Sequence, residues 1–184
     1  MTKILITEFI DSQSLQNINK KFDVIYKKDA WQNKDFLERE IQKFDGIIVR
    51  NKTSLDKKIL INASNLKFIG RLGVGLDNID TEYCKKNNII VQPATGMNSD
   101  SVAEYVVNSS LTLLKKTHII KEQTLQGKWP RTSIVTKELK GKTLGLIGFG
   151  DISKKVLNLV KVFDVSCIAS VSYTHLTLPT IALV

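Results

Sequence analysis

Cysteine is almost missing from this chain: Cys84 and Cys167 are its only two in 184 residues, with no CxxC or Cys/His spacing. A disulfide scaffold and a cysteine-based metal site are thereby excluded, and two isolated thiols suit a reducing, cytoplasmic setting. Proline is scarce at 3 residues and glycine stands at 10, which excludes collagen-like and low-complexity classes. Apolar runs stop at about five or six residues, far short of the roughly 20 that a membrane helix needs, so no membrane partner is expected. The first residues, MTKILITE, run straight into a strand pattern, and no signal peptide is expected. Arginine is scarce too. Of 27 basic residues only Arg39, Arg50, Arg71 and Arg131 are arginines, and the lysines fall in scattered pairs such as Lys57-Lys58 and Lys115-Lys116. The net charge of +9 therefore reads as a solvated lysine surface, not a nucleic-acid patch.

What is present, 42% hydrophobic and 24% charged residues, describes a soluble globular protein with enough apolar mass for one large or two small domains. The last fifteen residues, SVSYTHLTLPTIALV, contain no Asp, Glu, Lys or Arg. One reading frame of a common transposase sequencing adapter encodes VSYTHLTLPT, so 170–184 is set apart as a non-native tail, and His175 with it.

Short apolar runs alternate with amphipathic stretches through the first half. Strands are expected at Lys3–Phe9, Asp23–Tyr26, Gly46–Arg50, Leu66–Gly70 and Asn88–Gln92, and helices at Ser12–Lys21, Lys34–Lys43, Leu55–Ala63 and Thr81–Asn87. Leu37, Ile41 and Phe44 share one face, and Thr53-x-x-Asp56 reads as a capping box. Near-continuous apolar strands separated by helices predict a parallel sheet covered on both faces. The Pro93–Asn98 turn marks a boundary. Beyond it one long helix is predicted from Ser101 to about Gln126, capped by Ser101-x-x-Glu104, with Val102, Val106, Val107, Leu111 and Leu114 as its buried stripe. Gly127 and Pro130 end it, and strands follow at Lys142–Ile147 and Val165–Ala169.

The strongest chemical signal is LGLIGFGDISKKV, where a strand ends at Gly148 and Gly150 and a helix carrying Ile152, Val156, Leu159 and Val160 begins. In a dinucleotide-binding turn the first glycine permits the bend and the second lets backbone approach a pyrophosphate. The helix N-terminus then offers free N–H groups and a positive dipole end. Ser153 occupies the third glycine position, and Asp151 near the phosphates either caps the helix or repels them. The acid that would hold the ribose falls at about Val171. A second constellation, Arg71-Leu-Gly73-Val74-Gly75-Leu-Asp77-Asn-Ile-Asp80, places glycines where backbone N–H groups can receive a carboxylate. Arg50 and Asn51 end another strand on the same edge, where an arginine can clamp a carboxylate or phosphate; a plain turn and a surface arginine are the bland alternatives.

Together, RLGVGLDNID, NNIIVQPATGMNSDSVAEYVV, GKW and GKTLGLIGFGDIS resemble the D-isomer-specific 2-hydroxyacid dehydrogenases, most closely the D-3-phosphoglycerate dehydrogenase branch. The resemblance implies an α/β protein with a flavodoxin-like substrate domain over 1–97 and part of a Rossmann NAD domain over 98–169. It implies that Arg50, Asn51, Gly73, Val74 and Gly75 hold the substrate, and that Asn98, Val102, Gly148, Phe149, Gly150, Asp151 and Ile152 contact NAD. The family's catalytic Arg, Glu and His lie downstream of the glycine loop and have no counterpart here, so the chain is expected to be a fragment without turnover. His118 lies before that loop and is expected to be a half-buried helix residue. A small 2-hydroxy or 2-oxo acid partner, a role in serine biosynthesis, and pairing of subunits into a homodimer or homotetramer around Ser101–Lys116 are further implications. Two other functions share the fold: a flavodoxin-like binding module such as a phospho-receiver, disfavoured because the third strand ends in Arg50-Asn51 and not Asp, and an NAD-sensing corepressor.

Overall fold

The computed structural model describes residues 1–170 and 181–183. The chain divides into two compact units, Met1–Met97 and Asn98–Val184.

In the first unit five parallel strands run β1 (Lys3–Ile6), β2 (Asp23–Tyr26), β3 (Gly46–Val49), β4 (Phe68–Arg71) and β5 (Ile90–Pro93), in the order β2-β1-β3-β4-β5. This is the flavodoxin-like order of a doubly wound sheet. Strand alternation divides its core. Leu5, Ile47 and Ile69 stand in register and point to one face, where they pack with Leu37, Ile41, Phe44, Ile59 and Leu60 from the crossover segments. Ile4 and Ile6 point to the other, against Leu15, Ile18 and Phe22. Gly46 is required because the Phe68 ring lies where its Cβ would be. The helices are α1 (Ser12–Asn19), α2 (Lys34–Glu40), α3 (Lys57–Leu60) and α4 (Thr81–Lys86). Each opens on an Asx side chain: Asp11, Asn33, Asp56 and Asp80 accept from the backbone N–H three residues on. The expected Thr53-x-x-Asp56 capping box is corrected. Asp56 is the cap, while Thr53 is fully buried with its hydroxyl 2.8 Å from that of Thr7.

In the second unit α5 (Ser99–Lys115) and α7 (Asp151–Val160) pack together beside a parallel sheet of β6 (Thr143–Ile147), β7 (Ser166–Ser170) and β8 (Ile181–Leu183). Four sequence expectations are corrected. The single long helix is two, because Lys116 adopts a left-handed conformation (φ 52°) and separates α5 from α6 (Thr117–Leu125). The N–H of Lys137, from the following loop, satisfies the freed Leu114 carbonyl at 2.9 Å. α5 begins two residues before Ser101, on Asn98, without a side-chain cap. The buried face of α7 is Val156, Leu157 and Val160, whereas Leu159 faces outward. Finally, three strands are present and not two, since Ile181–Leu183, within the stretch set apart as tail, pairs with the open edge of β7.

Candidate functional site

The first unit gathers its polar residues at the C-terminal edge of the sheet, where parallel strands end and ligands of this fold class bind. Glu8, just past β1, is 4% exposed. Its Oε1 accepts from the N–H groups of Arg50 (2.8 Å) and Thr53 (2.9 Å), and its Oε2 from that of Lys52 (3.0 Å). Burial would push this carboxyl up, but the N–H donors of Thr53, Arg50 and Lys52 together with the Thr53 hydroxyl outweigh it and hold the pKa below the ordinary glutamate value. Asn78 fixes the loop from the other side: its Nδ2 donates to the carbonyls of Arg50 (3.0 Å) and Thr53 (2.7 Å). The loop that presents Arg50 and Asn51, both exposed, is thus pinned through its backbone, which leaves the two side chains free for a ligand.

The glycine turn after β4 is more selective than its sequence suggests. Gly73 donates its N–H inward to the Arg71 carbonyl at 2.8 Å, and the Ala94 N–H bonds both that carbonyl and the Gly73 carbonyl at 3.0 Å. The Gly73 amide is thus turned inward, while those of Val74 and Gly75 are among the turn's N–H groups that meet no acceptor among the described residues. The Arg71 guanidinium lies where a Cβ on Gly73 would stand, so a side chain there would displace it. Arg50 lines two clefts, one of about 480 Å³ shared with Leu72, Phe9 and the start of α1, and one of about 280 Å³ reaching toward β2.

In the second unit Gly148 takes φ 86°, which an L side chain rarely adopts, and its N–H bonds the Ser170 carbonyl at 2.8 Å. Gly150, at φ −85° and ψ −165°, opens α7 in an extended conformation that any residue could take. No atom lies within 4 Å of a Cβ placed on it. No described residue accepts from the N–H groups of Gly150, Asp151, Ile152 or Ser153. Asp151 does not cap the helix, and the Ser153 hydroxyl is turned back to the Gly148 carbonyl at 2.9 Å, away from the turn's mouth. The Phe149 side chain is buried in the core, leaving only its backbone at the turn. Lys155 meets Asp100 at 2.6 Å, tying the first turn of α5 to α7. Asn98 and half-buried Val102 therefore belong to the same end of this unit as the glycine turn.

Sequence reasoning missed Glu8 and Asn78; a lone glutamate closing an apolar strand was the available signal. His118 is exposed near the start of α6, not half-buried. Val171 and His175 lie outside the described residues. No group of three or more metal-ligating side chains occurs among the described residues, and none of their helices is long and apolar enough to cross a membrane.

The family described as D-isomer specific 2-hydroxyacid dehydrogenase, catalytic domain, matches residues 4–183. The chain belongs to this family. The (S)-sulfolactate dehydrogenase of Chromohalobacter salexigens is 37% identical over 154 residues, 84% of this chain and 50% of its own length. A D-3-phosphoglycerate dehydrogenase of Archaeoglobus fulgidus is 32% identical over 167 residues, 91% of this chain and 32% of its own. The chain thus spans half or less of these dehydrogenases. A D-lactate dehydrogenase from Aquifex aeolicus, solved with NAD and lactic acid, matches with a TM-score of 0.82 at 27% identity, covering 94% of this chain and 52% of that one.

Proposed function

We propose that this protein serves an NAD-dependent oxidoreductase acting on the CH–OH group of a D-2-hydroxy acid, as in D-3-phosphoglycerate dehydrogenase. In this reading residues 1–97 form the substrate domain and 98–169 the first part of the NAD domain. The observation that carries the reading is the mouth of α7. Gly150 is demanded neither by its backbone conformation nor by any neighbouring atom, and it stands at the head of a helix whose first four N–H groups meet no acceptor among the described residues. An anion the size of a diphosphate fits that place, favoured by the amides and by the helix dipole. Gly148 to Ile152 would hold the pyrophosphate through their backbone, with Asn98 and Val102 on the nicotinamide side. The bound nicotinamide supplies a hydride acceptor for C2 of the acid.

The chain's own residues bind and orient. The free N–H groups of Val74 and Gly75 receive the C1 carboxylate, and Arg50 and Asn51, held by Glu8 and Asn78, take the remaining polar end of the substrate. The proton at the C2 oxygen is assigned to no residue of this chain, so binding without turnover is expected. A cytoplasmic homodimer or homotetramer paired through α5 accords with Tyr105 and Leu113, 70% and 71% exposed on that helix.

A fluorescence titration with NADH tests the reading. Saturable binding to the chain, lost in Gly150→Val with unfolding unchanged, is the expected result. Equal binding by both proteins, or by neither, would overturn it.

A further inference from the structure

The glycine turn at the head of α7 is held from within: the Ser153 hydroxyl donates to the Gly148 carbonyl at 2.9 Å, and the Gly148 N–H to that of Ser170 at 2.8 Å. The first turn of α5 has no such ties. Asn98 opens that helix without a side-chain hydrogen bond, and no described residue accepts from the N–H groups of Ser99, Asp100 or Ser101. What joins the two helices is apolar: Ala103, Val106, Val107 and Leu111 of α5 cluster with Val156, Leu157 and Val160 of α7. Such contacts are non-directional, and packed helices can slide past one another by about 1–2 Å. One directional tie stands at the end of this interface. The Lys155 ammonium, one turn into α7, meets Asp100 Oδ1 at 2.6 Å. Among the described residues it is the one side chain that bonds a polar side chain of residues 98–102. Asp100 lies two residues from both Asn98 and Val102.

We infer, on the dinucleotide reading of the glycine turn, that Asp100 and Lys155 are positioning residues for the nicotinamide half of the dinucleotide. Their ion pair fixes the start of α5, and with it Asn98 and Val102, against the amides that receive the diphosphate. Neither residue belongs to the glycine turn itself. With the Asp100 side chain 79% exposed, the pair adds little to global stability. Its effect falls on register, because groups that grip two parts of one ligand must be held to within about 0.5 Å of the productive geometry.

The test compares NADH with ADP-ribose, the same diphosphate without the nicotinamide ring, by calorimetry on the 184-residue chain. Wild type is expected to bind NADH more tightly. Asp100→Asn and Lys155→Gln are each expected to reduce the ratio of NADH to ADP-ribose affinity about two- to fivefold, the scale of an exposed ion pair. The exchange Asp100→Lys/Lys155→Asp is expected to restore the ratio. Partial unfolding leaves this ratio unchanged, since both ligands lose binding alike. Long-range charge also acts differently: removing a carboxylate tightens the binding of any diphosphate, and removing an ammonium weakens it. Ratio changes of opposite sign in the two single variants, a ratio unmoved by either, an exchange that restores nothing, or equal binding of the two ligands by wild type overturns the proposal. Wild type that binds neither ligand removes the dinucleotide reading and the proposal with it. Binding of both without the expected ratio changes leaves that reading and removes only the role of the pair.

Discussion

Replacing Glu8 by Gln should loosen the Arg50–Thr53 loop without altering the cleft's shape. The amide oxygen can still accept from Arg50 and Thr53, but its NH2 group meets the Lys52 N–H, donor against donor, where the native Oε2 accepts at 3.0 Å. A hydrogen bond to a charged group contributes about 1.5–3 kcal/mol, and a buried donor left unmet costs about 1–3 kcal/mol. With one bond lost and two weakened to neutral ones, the expected destabilisation is about 2–4 kcal/mol at pH 7. The sign of the pH dependence follows from the lowered carboxyl pKa. A group whose pKa falls on folding contributes stability above its unfolded value, ordinarily 4.5, and loses it as the pH drops through the lower folded value. Wild-type stability should therefore fall through the acid range, and Glu8→Gln should lack that component. Urea unfolding followed through Trp31 in the Trp129→Phe background isolates the first unit. A variant within about 0.5 kcal/mol of wild type, or one retaining the full acid-range slope, refutes the clamp.

Other outcomes follow from the same geometry. Gly148→Ala should cost about 1–2 kcal/mol because φ 86° is strained for any residue with a Cβ, whereas Gly150→Ala should leave thermal unfolding unchanged. Asp56→Ala removes the cap on the Ile59 N–H (3.1 Å) and should cost about 1 kcal/mol, measured by urea denaturation. Burial pushes the Cys84 thiol up to about 11 and raises that of Cys167, so a disulfide exchange reagent at pH 8 should label neither until denaturant is added.

Much of the fold was legible because parallel strands buried on both faces leave an apolar signature, and KILITEF, GIIVR and LKFIG each became a strand. The position of Arg50 and Asn51 at a strand's end followed directly. The clamp behind them did not, because the partners of Glu8 are backbone amides contributed from 42 to 45 residues away, and amides carry no residue-type signal. Thr53 illustrates the same limit: its spacing to Asp56 suggests a cap, but a tertiary hydroxyl pair with Thr7 claims its side chain. The break at Lys116 was equally hidden, since a left-handed lysine has no local marker of the kind glycine gives. Gly73 shows the opposite case. Its presence was read as openness to a ligand, yet its amide turns inward and the Arg71 guanidinium fills the space beside it.

The glycine turn at the head of α7 admits one direct measurement. In a nitrogen-15 amide spectrum of the chain titrated with NADH, the largest shifts should fall on Gly150, Asp151 and Ile152, the donors at the head of α7. Shifts that avoid those three amides, or a spectrum unmoved by millimolar NADH, would contradict the account.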